Sequence, residues 1–128
     1  MEGGENMNIT KLALIVGIVV AGLGLLGLIS GDGKIADSMN IDLMLDMARV
    51  GLGAILIFAS TKSVEISRTA FAIFGVAYLG MFVLGLLSPT LFGMLPSGLG
   101  LIDQVLHLGG GALGVYVMMM GSKKIAHA

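Results

Sequence analysis

Four long apolar segments constrain this chain more than any other feature: Thr10–Ile29, Ile41–Ser60, Ser67–Leu87 and Ile102–Gly121. Each can cross a hydrocarbon core of roughly 30 Å as a helix rising about 1.5 Å per residue. Lipid offers the backbone no hydrogen-bond partners, so each segment must satisfy its own amides and carbonyls. The expected fold is all-α: a four-transmembrane-helix bundle in one integral membrane domain spanning residues 1–128. Composition agrees, with 56% hydrophobic and only 12% charged residues, whereas soluble domains carry about a quarter charged. The first segment reads as a retained span: Glu2 and Glu5 stand against Lys11, unlike the positive flank of a secretory leader.

The segments fall into two similar halves. Gly17, Gly22 and Gly27 match Gly75, Gly80 and Gly85 at a constant offset of 58 (75 − 17). Ile41-Asp42 matches Ile102-Asp103, and Leu52-Gly53 matches Leu113-Gly114, at an offset of 61 (102 − 41). A duplicated helical hairpin follows, with a longer second connection. Lys11, Lys62, Arg68, Lys123 and Lys124 flank one side, while only Lys34 flanks the other. The positive-inside rule then puts both termini in the cytoplasm, and the two halves become a parallel pseudo-repeat. The expected location is a prokaryotic cytoplasmic membrane.

Boundary residues suggest further detail. Asn40 is expected to cap the second helix, with Asp42 in its first turn; Ser97 is expected to begin the fourth, and Ser63 or Ser67 to cap the third. The stretch from Ser88 to Pro96 is too apolar for a free loop. It should lie at the interface or fold over the mouth of the bundle.

Few polar residues enter the spans. Asp42, Asp46, Arg49 and Gly53 share one face of the second helix; Asp103, His107, Gly110 and Gly114 share the matching face of the fourth. Charge in lipid is costly, so these faces should turn inward. The expectation is that the second and fourth helices pack against each other there, brought close by Gly53, Gly110 and Gly114. Asp46, Arg49, Asp103 and His107 then form the candidate polar cluster, with Asp46–Arg49 an i, i+3 pair and His107 opposite Asp46 by the repeat. Such a cluster either orients helices or acts as a proton-responsive or ligand-binding site, since histidine titrates near neutrality. A further small-residue face, Ala13, Gly17 and Ala21 on the first helix, meets either another helix of the bundle or a neighbouring subunit.

Several chemistries find no support. Cysteine is absent, which removes disulfides and thiol catalysis. A net charge of −1 offers no field for nucleic acid. No metal site is expected: Arg49 beside the carboxylates opposes a cation, and Met118, Met119 and Met120 point about 100° apart on a helix. No nucleophile elbow or phosphate-binding loop occurs, and no cofactor is expected.

Gly75, Tyr78 and Gly80 are followed by Leu91-Phe92-Gly93-Met94-Leu95-Pro96 and then by Asp103 and His107. This pattern resembles a family of small bacterial and archaeal four-helix integral membrane proteins of unknown function. There a Leu-Phe-Gly-x-Leu-Pro turn leads to Asp-x-x-x-His at the start of the last helix. The likeness runs from about Leu12 to Met120 and implies the fold without an activity. Family members tend to carry a histidine in the second helix too; here that position is Asp46, followed by Arg49. The leading expectation is a non-enzymatic assembly or accessory module whose partners are the bilayer and either a second copy or another membrane protein. The alternative is a transport, proton-conducting or pH-responsive element using Asp46, Arg49, His107 and Asp103.

Overall fold

The computed structural model describes the backbone of residues 2–31, 33–35 and 39–127, and the side chains of 9–31, 33–34 and 39–120. In chain order the elements are α1 (Glu2–Ser30), β1 (Lys34–Ile35), β2 (Met39–Asn40), α2 (Leu43–Ser60), α3 (Val64–Leu87) and α4 (Leu101–His127). Four stretches within the helices are long and apolar enough to cross a membrane: Ile9–Ser30, Leu43–Ser60, Val64–Leu87 and Leu101–Met120. The expected all-helical bundle is therefore present. Only 28–33% of each span is buried within it, which leaves most of the apolar side chains facing outward. In water such a surface would aggregate; in lipid it is ordinary.

The helices pack mainly within hairpins, α1 on α2 and α3 on α4, with lighter contacts of α3 on α2 and α1. Backbone approach explains why. A Cβ on Gly53 would lie 2.7 Å from the Gly17 carbonyl oxygen and crowd Ala21. A Cβ on Gly114 would lie 2.6 Å from Gly75 Cα. Gly110 lies against Tyr78 and Phe74 of α3. The expectation that Gly53, Gly110 and Gly114 draw α2 and α4 together is thus corrected: these residues seat each helix on its own hairpin partner. Antiparallel neighbours align their small faces along most of their length, which α2 and α4 do not. The Ala13, Gly17 and Ala21 face is likewise spent inside the bundle, with Ala13 fully buried.

An apolar core joins the hairpins. Its centre is an aromatic row on α3, where Phe71, Phe74 and Tyr78 are spaced to share one face. Phe71 meets Phe74 edge-on at 6.5 Å, and Phe74 lies 4.2 Å from Tyr78, centroid to centroid. Leu56, Ala59 and Val117 close around them.

The two connections at one end, here the loop end, differ. The first forms a short antiparallel ribbon, Lys34 paired with Asn40 and Ile35 with Met39, which periodicity did not suggest. The second folds back over the bundle, as one of the two sequence expectations held. Leu91 and Leu95 are buried against Leu45 of α2. Leu91 (φ 48°) and Phe92 (φ 58°) are both left-handed, at roughly 1–2 kcal/mol each for non-glycine residues. Burial of Leu91 and the Leu95 N–H to Thr90 carbonyl bond of 2.9 Å offset that strain.

Helix starts refine the expectations. Ser63 does cap α3, accepting the Ile66 N–H at 3.1 Å. Asp42, not Asn40, occupies the N-cap of α2, with φ −67° and ψ 150° and no side-chain cap bond. The helix α4 begins at Leu101 rather than at Ser97. Asn40, Asp42 and Ser97 are all drawn away from capping by bonds to one another.

Candidate functional site

Arg49 is the hub of the loop end. It lies on the inward face of α2, one turn beyond Asp46, and is 3% exposed. Its Nη1 donates to the Asn40 carbonyl at 2.6 Å and to Asp46 Oδ1 at 3.2 Å. Its Nη2 donates to Asp103 Oδ1 of α4 at 2.9 Å. The arm of one arginine thus bridges α2 and α4, whose backbones stay apart. Lysine could not replace it, because the fork of the guanidinium is what reaches both carboxylates at once.

Each carboxylate is held by more than the charge. Asp103 sits in the first turn of α4, where the positive helix end favours an anion. Its Oδ2 accepts the backbone N–H groups of Asn40 at 2.7 Å and Gly100 at 2.8 Å. Asp46 is accommodated by α1: Gly24 lies against its backbone, and a Cβ on Gly27 would overlap its carboxylate. Replacing Gly27 by any other residue would evict that side chain.

A second layer seals the first. Asp42 Oδ1 accepts from Ser97 Oγ at 2.7 Å and from Gly33 N–H at 3.3 Å. Its Oδ2 accepts from Ser97 N–H at 2.7 Å and Asn40 Nδ2 at 3.0 Å. Asn40 Nδ2 also donates to the Gly98 carbonyl at 2.6 Å, and its Oδ1 accepts the Asp42 N–H at 2.7 Å. Burial works against ionisation of Asp42, yet the donors of Ser97, Asn40 and Gly33 outweigh it and hold the carboxyl below its ordinary 3.8. Both connections are tied to the helix starts by this one side chain.

The structure therefore brings Asp46, Arg49 and Asp103 together and adds Asp42, Asn40 and Ser97. His107 stands apart from the hydrogen-bonded network. Its ring lies against Tyr78, 5.1 Å between centroids and 73° between planes, and its Nδ1 has no hydrogen-bond partner. The contact that orients this ring is the edge-on one with α3, the helix against which α4 packs. Among the described residues no group of three His, Cys, Asp or Glu side chains is placed to hold a metal ion.

The chain matches nothing among protein-family models, curated proteins or solved structures. Its chemistry must be read from its own side chains.

Sequence reasoning missed Asn40 as a hub, Tyr78 as the neighbour of His107, and Gly24 and Gly27 as the recess for Asp46. Gly27 had a signal in its match to Gly85. Tyr78 had one in its spacing from Phe71 and Phe74. Asn40 had none, since an asparagine before a helix is an ordinary cap.

Proposed function

We propose that the chain is a non-enzymatic membrane module, a duplicated hairpin locked at one end, which works by assembling with itself or with another membrane protein. One observation carries this reading. The Arg49–Asp103 pair bridges the two hairpins inside a network where Arg49 spends bonds on Asn40, Asp46 and Asp103. A group engaged in that way orients helices and leaves little to offer a passing substrate. The equivalent close approaches of Gly17 to Gly53 and of Gly75 to Gly114 support descent from one repeated hairpin. The lysine and arginine bias supports both termini in the cytoplasm, with the locked end outside.

A second reading rests on stoichiometry. Among the described residues three buried carboxylates, Asp42, Asp46 and Asp103, accompany a single buried guanidinium, an imbalance that a proton could relieve in a proton-conducting or pH-responsive element. Two measurements separate the readings. Native mass spectrometry of the gently extracted protein should give a multiple of 13.1 kDa or a complex with a second polypeptide. Vesicles containing the chain should hold a proton gradient as well as protein-free vesicles. A proton leak that disappears in Asp103→Asn would overturn the assembly reading in favour of the second.

A further inference from the structure

The two connections at the loop end differ in charge as well as in shape. The first carries Asp32, Lys34 and Asp37, whereas no charged residue occurs between Arg68 and Asp103. The second connection, residues 88–100, joins a span that ends at Leu87 to one that begins at Leu101, so it lies at the level of the lipid headgroups. Its side chains are sorted between two sides. Leu91 and Leu95 are buried against Leu45, while Phe92 is 70% and Met94 52% exposed. Leu91 and Phe92 are both left-handed, and there neighbouring side chains part, one inward and one outward. The outward pair continues an apolar rim of exposed leucines, Leu86 and Leu87 at the end of α3 and Leu101 at the start of α4.

The backbone of this segment decides what its outer face can meet. From Leu91 to Gly100 every N–H group donates within the protein, Pro96 having none. Most of these bonds close on Ser88, Pro89, Thr90, Leu91 and Leu95 inside the segment. The amides of Ser97 and Gly100 reach the carboxylates of Asp42 and Asp103. A connection standing in water has no need of such completeness, because water satisfies its amides. A segment with no amide left over loses none of these bonds on entering the boundary between headgroups and acyl chains. The apolar side chains of its free face then gain by leaving water.

We propose that the second connection is a membrane anchor, seated on the bundle by Leu91 and Leu95 and inserted by Phe92 and Met94 into the headgroup–acyl boundary of the leaflet at the loop end. Amphipathic segments enter that boundary by about 5–10 Å. The partner is the lipid surface, because the outward face runs on into the lipid-facing leucines of α3 and α4 and carries no charge. The two connections then face different solvents, the charged ribbon water and the uncharged lid lipid. This inference rests on the four spans and is independent of the assembly reading.

The chain has no cysteine, so single-cysteine variants of the full chain each take one nitroxide label. Phe92→Cys, Met94→Cys and Lys34→Cys all lie at exposed side chains, where a label leaves the core undisturbed. Each labelled chain is placed in vesicles of phosphatidylcholine and phosphatidylglycerol. Power saturation then reads collisions with oxygen, which concentrates in lipid, and with a water-soluble nickel chelate. The ratio of oxygen to nickel accessibility should be several-fold higher at 92 and 94 than at 34. Ratios at 92 and 94 no higher than at 34 would overturn the proposal. Labels at 92 and 94 shielded from both reagents would overturn it too, by showing a protein partner or a second copy on that face.

Discussion

The loop end and the middle of this bundle are held by opposite means. At the loop end the hairpins are joined by long polar side chains across a gap: Arg49 to Asp103, Asn40 to Gly98, and Asp42 to Ser97. In the middle the helices touch backbone to backbone within each hairpin, through Gly17 on Gly53 and Gly75 on Gly114. Between hairpins an aromatic row fills the space. The difference follows from what lipid can and cannot do. Lipid tails are as apolar as leucine and do not drive helices together, so the middle relies on close fit. Buried charge has no alternative partner in the core, so the loop end relies on mutual satisfaction.

The sharpest way to break the comparison is Arg49→Met. It leaves Asp46 and Asp103 buried without their cation, and unfolding in mixed micelles should show a loss of about 3–5 kcal/mol. The triple change Arg49→Met, Asp46→Leu, Asp103→Leu should recover a large part of that loss, because no stranded charge remains. If the triple variant is no better than the single one, the network contributes more than mutual neutralisation.

Gly53→Leu tests the middle. It forces apart α1 and α2 where the backbones meet, and overpacking of this kind costs about 1–3 kcal/mol. Gly22→Leu is the control, since nothing lies within 4 Å of a Cβ there, and it should stay within about 0.5 kcal/mol of wild type. The oligomeric state should survive Gly53→Leu better than the hairpin does, because that glycine faces inward.

A smaller effect is expected at Asp42. Its carboxyl is held below the ordinary 3.8 by Ser97, Asn40 and Gly33 against the opposing effect of burial. A carboxyl whose folded value is depressed stabilises the fold at pH above its unfolded value and loses that contribution as pH falls through the folded one. Hydrogen exchange at the Ser97 amide should therefore stay slow at pH 6 and at pH 5, and quicken only below about pH 4. Ser97→Ala, which removes one of the four bonds, should cost about 1 kcal/mol and raise the pH at which exchange quickens.

The spans were legible because hydropathy and length alone decide them. The polar face of α2 was legible because Asp42, Asp46, Arg49 and Gly53 sit at helical spacing. Which partner Arg49 reaches was not. The i, i+3 neighbour Asp46 is visible in one helix, but the bond to Asp103 depends on how far α4 is turned about its axis, which contacts with α3 decide. His107 shows the same limit. The sequence match to Asp46 says nothing of its neighbour Tyr78, which is chosen by the packing of α4 on α3. The loop ribbon was invisible because two paired residues per strand are too short for alternation to register.

The link between Arg49 and Asp103 also has a history in time. The two residues are 54 positions apart, so at about 5–20 residues per second the ribosome makes the arginine roughly 3–10 s before its distant partner exists. During that interval the first hairpin must carry a guanidinium toward the membrane with Asp46, three residues earlier, as the carboxylate already at hand. Asp46 then serves the nascent chain before it serves the finished one: it is the escort that lets Arg49 wait for the second hairpin.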